Sequence, residues 1–193
     1  KHPIIMENLH GIKRTKGSNQ KAKKPILIND LKLIIQVIDQ SKETEKKKIR
    51  DRALILVGFS GGFRRSELVD IDIDDVEFVN EGVKIYIKRS KTDQSGEGMI
   101  KAIPYFDKKL FCPVISLKSW IDYNQTKSGK IFDISDKSVA LIIKKYTALS
   151  GLDPNRYGGH SLRSGFATST AESGAEERNI MAMTGHKTTQ MVR

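Results

Sequence analysis

The chain has 193 residues, 38% of them hydrophobic and 30% charged, enough for one substantial domain with its own core. Thirty-four Lys and Arg against 23 acids give a net charge of +11 and a pI near 9.7, which points to a polyanionic partner, nucleic acid first and a membrane surface second. No apolar run approaches the roughly 20 residues of a membrane span, no signal peptide is visible in the opening residues, and the lone Cys112 excludes an internal disulfide and fits a reducing, cytosolic setting.

In chain order, "HPIIMENLH" has the character of the tail of a preceding domain, and a start at Lys1 rather than Met reads as a cut. The stretch "GIKRTKGSNQKAKKP" holds six Lys or Arg, no acid and almost no apolar side chain. It cannot bury enough surface to offset its ordering entropy, so residues 1–25 are expected to be the end of one region and a basic linker. The domain proper is expected over 26–193. There "NDLKLIIQVIDQ" offers Asn29 or Asp30 as a helix N-cap and apolar residues at 31, 34, 35 and 38, one helical face. "KKIRDRALILVGFSGG" predicts a more buried helix closed by Gly61 and Gly62 in a left-handed cap, followed by a short helix in "RSELV". "DDVEFV", "VKIYIKRS" and "MIKAIPY" have strand character. The alternation of Val83, Ile85 and Ile87 with Lys84, Tyr86 and Lys88 predicts a small antiparallel sheet. Helices are predicted over 113–124, 135–149, 160–173 and 176–184, with another starting near 188. The fold class is mainly α with a small three-stranded antiparallel sheet.

Four short stretches can carry chemistry. In "GGHSLRSGF", His160 and Arg163 lie three apart at a helix start, where backbone N–H groups already favour an anion; a guanidinium and an imidazole there can cradle a phosphate. In "GGFRRSELVDI", Arg64 follows a Gly pair, and Glu67, three residues on, can hold its guanidinium. Lys91 sits at the hairpin tip in "KRSKTDQSGEG", a compact charge on a flexible stem suited to proton donation. His186 follows Gly185 in "TGHKTTQ", between two helices. Each motif alone is weak: the bland alternatives are a helix-capping His, a cation favoured at a helix C-terminus and a solvated turn Lys.

Together, in this order and spacing, they resemble the tyrosine recombinase (phage integrase) family, in which TG-x-R-x-SEL, a hairpin Lys, H-x-L-R and GH recur as one catalytic set. This chain has G-F-R-R-S-E-L, S-K-T, H-S-L-R and T-G-H, and the resemblance covers Pro25 to Arg193. "LHGIKRTKG" is similar to the end of the family's core-binding region and its linker. The resemblance implies a DNA breaking-rejoining catalytic domain. A tyrosine hydroxyl attacks a phosphodiester, leaving a 3′-phosphotyrosine and a free 5′-hydroxyl, with no metal and no other cofactor. Arg64 and Arg163 would clamp the non-bridging oxygens and His186 would add a hydrogen bond. Lys91 would protonate the leaving 5′-oxygen, His160 would assist proton transfer at the tyrosine, and Glu67 would support Arg64. Arg65, Arg89 and Lys187 are candidate DNA contacts. In the family the nucleophilic tyrosine comes shortly after the Gly-His pair, which here falls just past Arg193. Tyr86, Tyr105, Tyr123, Tyr146 and Tyr157 match none of that motif, so this chain is expected to bind DNA without cleaving it.

The implied partner is double-stranded DNA, with no membrane. The implied setting is a bacterial or phage-derived protein of the cytoplasm, associated with the nucleoid. A full-length protein is expected as a tetramer on DNA, with a C-terminal segment docking between protomers, and this chain as mainly monomeric. The competing readings are a non-catalytic DNA-binding module of the same fold and a type IB topoisomerase. A calcium loop in "DIDIDDVEFVNE" is disfavoured because Asp75 stands where the sharp turn needs Gly. The four His and one Cys have no close ligand spacing, which argues against structural zinc.

Overall fold

Apolar residues recurring at helical spacing set the first element, α1 (Ile28–Gln40), which buries Leu31, Ile34, Ile35 and Ile38. The structure, a computed structural model, describes residues 7–8, 23–88 and 98–184. The helix starts earlier than expected: Leu27 is the N-cap, two residues before Asn29 and three before Asp30, with no side-chain hydrogen bond, and both polar residues lie inside the first turn. Asp30 instead accepts a hydrogen bond from the Tyr157 hydroxyl at 3.0 Å. A tertiary partner outcompetes the capping role that local sequence offers.

Helix α2 (Glu45–Ser60) is buried without a break from Ala53 to Ser60. A helix apolar on every side must be surrounded, and α2 packs against α1, α4 (Pro113–Asn124) and α6 (Ser161–Glu172). Gly61 and Gly62 end it, and Gly62 takes the left-handed conformation (φ 56°) that glycine adopts without steric penalty. After the short helix α3 (Arg65–Asp70), the two leading acids of "DDVEFV" belong to a 3-10 turn, Ile73–Asp75, rather than to a strand. Asp75 is buried there and accepts Lys88 at 2.6 Å.

Strands β1 (Val76–Val79), β2 (Gly82–Ile87) and β3 (Met99–Pro104) form an antiparallel sheet in that order. The register sets Val83 against Ile103, Ile85 against Lys101 and Ile87 against Met99. With a side-chain period of two, those pairs share one face, and Val83, Ile85, Lys101 and Ile103 are all buried on it. Helix α4 buries Trp120, whose indole N–H donates to the Ile131 carbonyl at 2.8 Å. Helix α5 (Asp136–Leu149) is capped by the Ser135 hydroxyl, and α7 (Glu177–Thr184) packs on α6. Among the described residues no helix is long and apolar enough to cross a membrane. The predicted helix start near 188 and the basic run 11–22 lie outside the described residues.

Candidate active site

The Gly61–Gly62 turn delivers Arg64 to the N-cap of α3. A Cβ on Gly62 would lie 2.9 Å from Phe166 and 3.1 Å from Thr184, so α6 and α7 close directly over this turn. Glu67 follows one helical turn after Arg64, on the same face. Its carboxylate accepts the Arg64 backbone N–H at 2.9 Å and the guanidinium Nη1 at 2.5 Å. Burial opposes ionisation of Glu67, but the hydrogen bonds from Arg64 and the nearby Lys101 ammonium outweigh it and hold the carboxyl below its ordinary value. Arg64 is thus clamped at both backbone and side chain, its side chain still 15% exposed.

Arg163 reaches the same turn from the first turn of α6. It is 5% exposed, and its Nη1 donates to the Gly62 carbonyl at 2.9 Å. Its Nη2 is buried and has no hydrogen-bond partner among the described residues. Burial first, then the like charge of Arg64, lower the Arg163 pKa to about 10, with Glu67 opposing. The group therefore stays cationic at neutral pH. Helix α6 reaches this depth because Gly165 has no side chain: a Cβ there would sit 2.0 Å from the Ile26 carbonyl oxygen.

His160 is the N-cap of α6 and is exposed, so the sequence-predicted pair shares one helix end with the imidazole outward and the guanidinium inward. Arg65 lies across the backbone of Gly159, where a Cβ would be 1.7 Å from its Cδ, and its guanidinium is 3.7 Å from Asp136. Lys91, Arg89, His186 and Lys187 lie outside the described residues. Three acids of the calcium-loop stretch have partners. Asp70 pairs with Lys130 at 2.6 Å, Asp72 accepts the Asp74 N–H at 3.4 Å and Asp75 takes Lys88. Among the described residues, no group of three His, Cys, Asp or Glu could hold a metal ion.

One residue of this centre was missed from sequence. Lys101, on β3, is 0% exposed. Its ammonium donates to the carbonyls of Gly61, at 2.8 Å, and of Met183, and lies 4.9 Å from the Phe63 ring centroid. Burial lowers its pKa to about 8; Glu67 pulls it up, and Arg163 and Arg64 push it down. The available signal was parity: Lys101 falls between Met99 and Ile103 on the strand face that pairs with Ile85. Three cations thus surround one carboxylate, and the buried Arg163 Nη2 has no partner there among the described residues. Such an arrangement can offer donors to an anion, and the planar fork of arginine matches the geometry of phosphate oxygens.

The sequence pattern described as the phage integrase family matches residues 26–193. The integrase/recombinase xerD homolog of Selenomonas ruminantium is 43% identical over 204 aligned residues, which cover 100% of this chain and 59% of that protein. A tyrosine recombinase of Agathobacter rectalis is 30% identical over 145 residues, covering 74% of this chain and 45% of that protein. The chain spans about half the length of these curated relatives. Among solved structures, the XerH site-specific recombinase bound to palindromic difH substrate, in a post-cleavage complex, superposes with a TM-score of 0.74 at 19% identity, covering 92% of this chain and 50% of that one. The XerA recombinase gives 0.69 at 19% identity, covering 90% and 58%. At such identities the structural likeness speaks for the fold.

Proposed function

From its place in the phage integrase family, to which this chain belongs, we propose that it is the catalytic domain of a site-specific DNA recombinase. It would cleave and rejoin strands through a 3′-phosphotyrosine without a metal. The observation that carries this reading is the buried Arg163, one nitrogen spent on the Gly62 carbonyl and the other without a partner among the described residues, beside an Arg64 anchored by Glu67. A five-coordinate phosphoryl transition state gains charge on its non-bridging oxygens, and fixed donors that need no reorganisation stabilise it most. Arg64 and Arg163 take that role. His186 adds a hydrogen bond, Lys91 gives the leaving 5′-oxygen its proton and His160 assists proton transfer at the nucleophile. Arg65, Arg89 and Lys187 contact the flanking duplex, and residues 1–25 link the domain to a core-binding region.

The tyrosines support a nucleophile from outside these 193 residues. Tyr146 and Tyr157 are buried, and their hydroxyls donate to Asp51 at 2.9 Å and Asp30 at 3.0 Å. Tyr86, Tyr105 and Tyr123 have none of the motif context. The chain by itself would then grip DNA without cutting it. An apolar groove of about 540 Å3, lined by Leu31, Phe59, Phe106, Phe111 and Phe166, suits a docked segment of a neighbouring protomer in a DNA-bound tetramer. The expected setting is the bacterial cytoplasm, on the nucleoid.

The test is covalent capture of a nicked suicide DNA substrate by the full-length protein. Removing one transition-state donor costs about 10²–10³ in rate, so Arg163→Ala should lose capture while still binding DNA. Capture at the unmodified rate by Arg163→Ala would refute the assignment.

A further inference from the structure

The last carbonyls of a helix have no intrahelical partner and carry partial negative charge. One such end, Gly61 at the close of α2, meets the Met183 carbonyl of α7 beside the arginines. The same ammonium, that of Lys101, donates to both. Its stem rises from the core face of β3, and Phe63 covers the charge with its ring at 4.9 Å. The turn it holds is the one on which the centre depends. Gly61 precedes Gly62, whose carbonyl seats Arg163, and Arg64 projects two residues further on.

We infer that Lys101 is a positioning residue for phosphoryl transfer, fixing the Gly61–Gly62 turn against α7 so that Arg64 and Arg163 present their donors in one geometry. The inference rests on the recombinase reading. The Lys101 ammonium is already committed to the Gly61 and Met183 carbonyls, so its part is to hold the turn rather than to bind DNA. A methionine of similar reach would leave both carbonyls without their donor and the turn free to shift. Displacement of a positioned group by about 1 Å can cost about 10²-fold in rate.

The experiment compares Lys101→Met and Lys101→Arg with the unmodified full-length protein, in single-turnover covalent capture at saturating DNA and in DNA affinity. Lys101→Met should slow capture by about 10–100-fold while its dissociation constant stays within about threefold. Lys101→Arg, which keeps a cation and donors, should recover most of the rate. If Lys101→Met does not melt cooperatively, Lys101→Gln, with a neutral donor on a shorter stem, takes its place under the same criteria. A folded Met or Gln variant that captures at the unmodified rate overturns the inference, as does a fall in affinity that accounts for all of the lost rate. Absence of any adduct with the unmodified protein sinks the recombinase reading instead, and the two failures are told apart by that control.

Discussion

Replacing Glu67 by Ala removes the carboxylate that pairs with Arg64 and acts on both Arg163 and Lys101. Glu67 is buried, its side chain 2% exposed, and it accepts two bonds from Arg64, one from the backbone N–H and one from the guanidinium. Breaking a buried pair by deleting one partner costs about 3–5 kcal/mol, because the other charge is left uncompensated. Here that charge also meets two further cations. The cost for Glu67→Ala should therefore fall in that range, and Glu67→Gln, which keeps an acceptor, should cost less. Urea unfolding of the 193-residue chain at pH 7 measures both. The Glu67 pKa lies below its ordinary 4.5 in the folded state, so its contribution is full above that value and is lost as pH falls through the lowered one. The gap between the unmodified chain and Glu67→Gln should narrow correspondingly in acid. Sulfate should stabilise the variants more than the unmodified chain, since an anion bound only by the folded state replaces the missing carboxylate. A loss below about 1 kcal/mol for Glu67→Ala, or an equal response to sulfate, would show that the cluster does not depend on its carboxylate.

Lys101 makes stability rise with pH. Its folded pKa of about 8 lies below its ordinary 10.5, so the unfolded chain holds more protons between those values. The gain from pH 7 to 10 should be about 2–3 kcal/mol, measured by urea unfolding, and Lys101→Met should flatten it. Glu67 pulls the Lys101 pKa up while Arg64 and Arg163 lower it, so Glu67→Gln should start that rise at lower pH. Gly165→Ala would put a Cβ 2.0 Å from the Ile26 carbonyl oxygen. Overpacking of this kind costs about 1–3 kcal/mol, and a melting temperature unchanged from the parent would contradict the close approach of α6 to Ile26. DNA binding by the chain should weaken steeply with salt, each neutralised phosphate adding about −0.9 to the log–log slope; a flat titration would argue against a phosphate-gripping surface. Phe106→Glu should reduce assembly of the full-length protein on paired duplexes, read by native gel shift, and leave the single-duplex complex intact. Unchanged assembly would remove the groove from the interface.

What the sequence by itself determined is what depends on neighbours along the chain. The buried face of α1, the left-handed Gly62 after α2, the Ser135 start of α5 and the pairing of Arg64 with Glu67 three residues on are all contacts within one or two turns. The alternation of β2 was legible for the same reason. Local reasoning failed where a distant partner competed, as when Tyr157 took Asp30 away from the helix cap and Lys88 drew Asp75 into a buried turn. The four motifs could be named from their order and spacing, but the meeting of Arg64 and Arg163 at one turn is a tertiary property. Arg163 meets the Gly62 carbonyl across 101 residues, and Lys101 joins Gly61 and Met183 across 40 and 82. No motif singled out Lys101; the sheet register turns it inward beside Ile103. A pattern of residue types encodes which chemistry is available. Only packing decides which charges lose their water, and that loss leaves a buried guanidinium N–H in need of an acceptor.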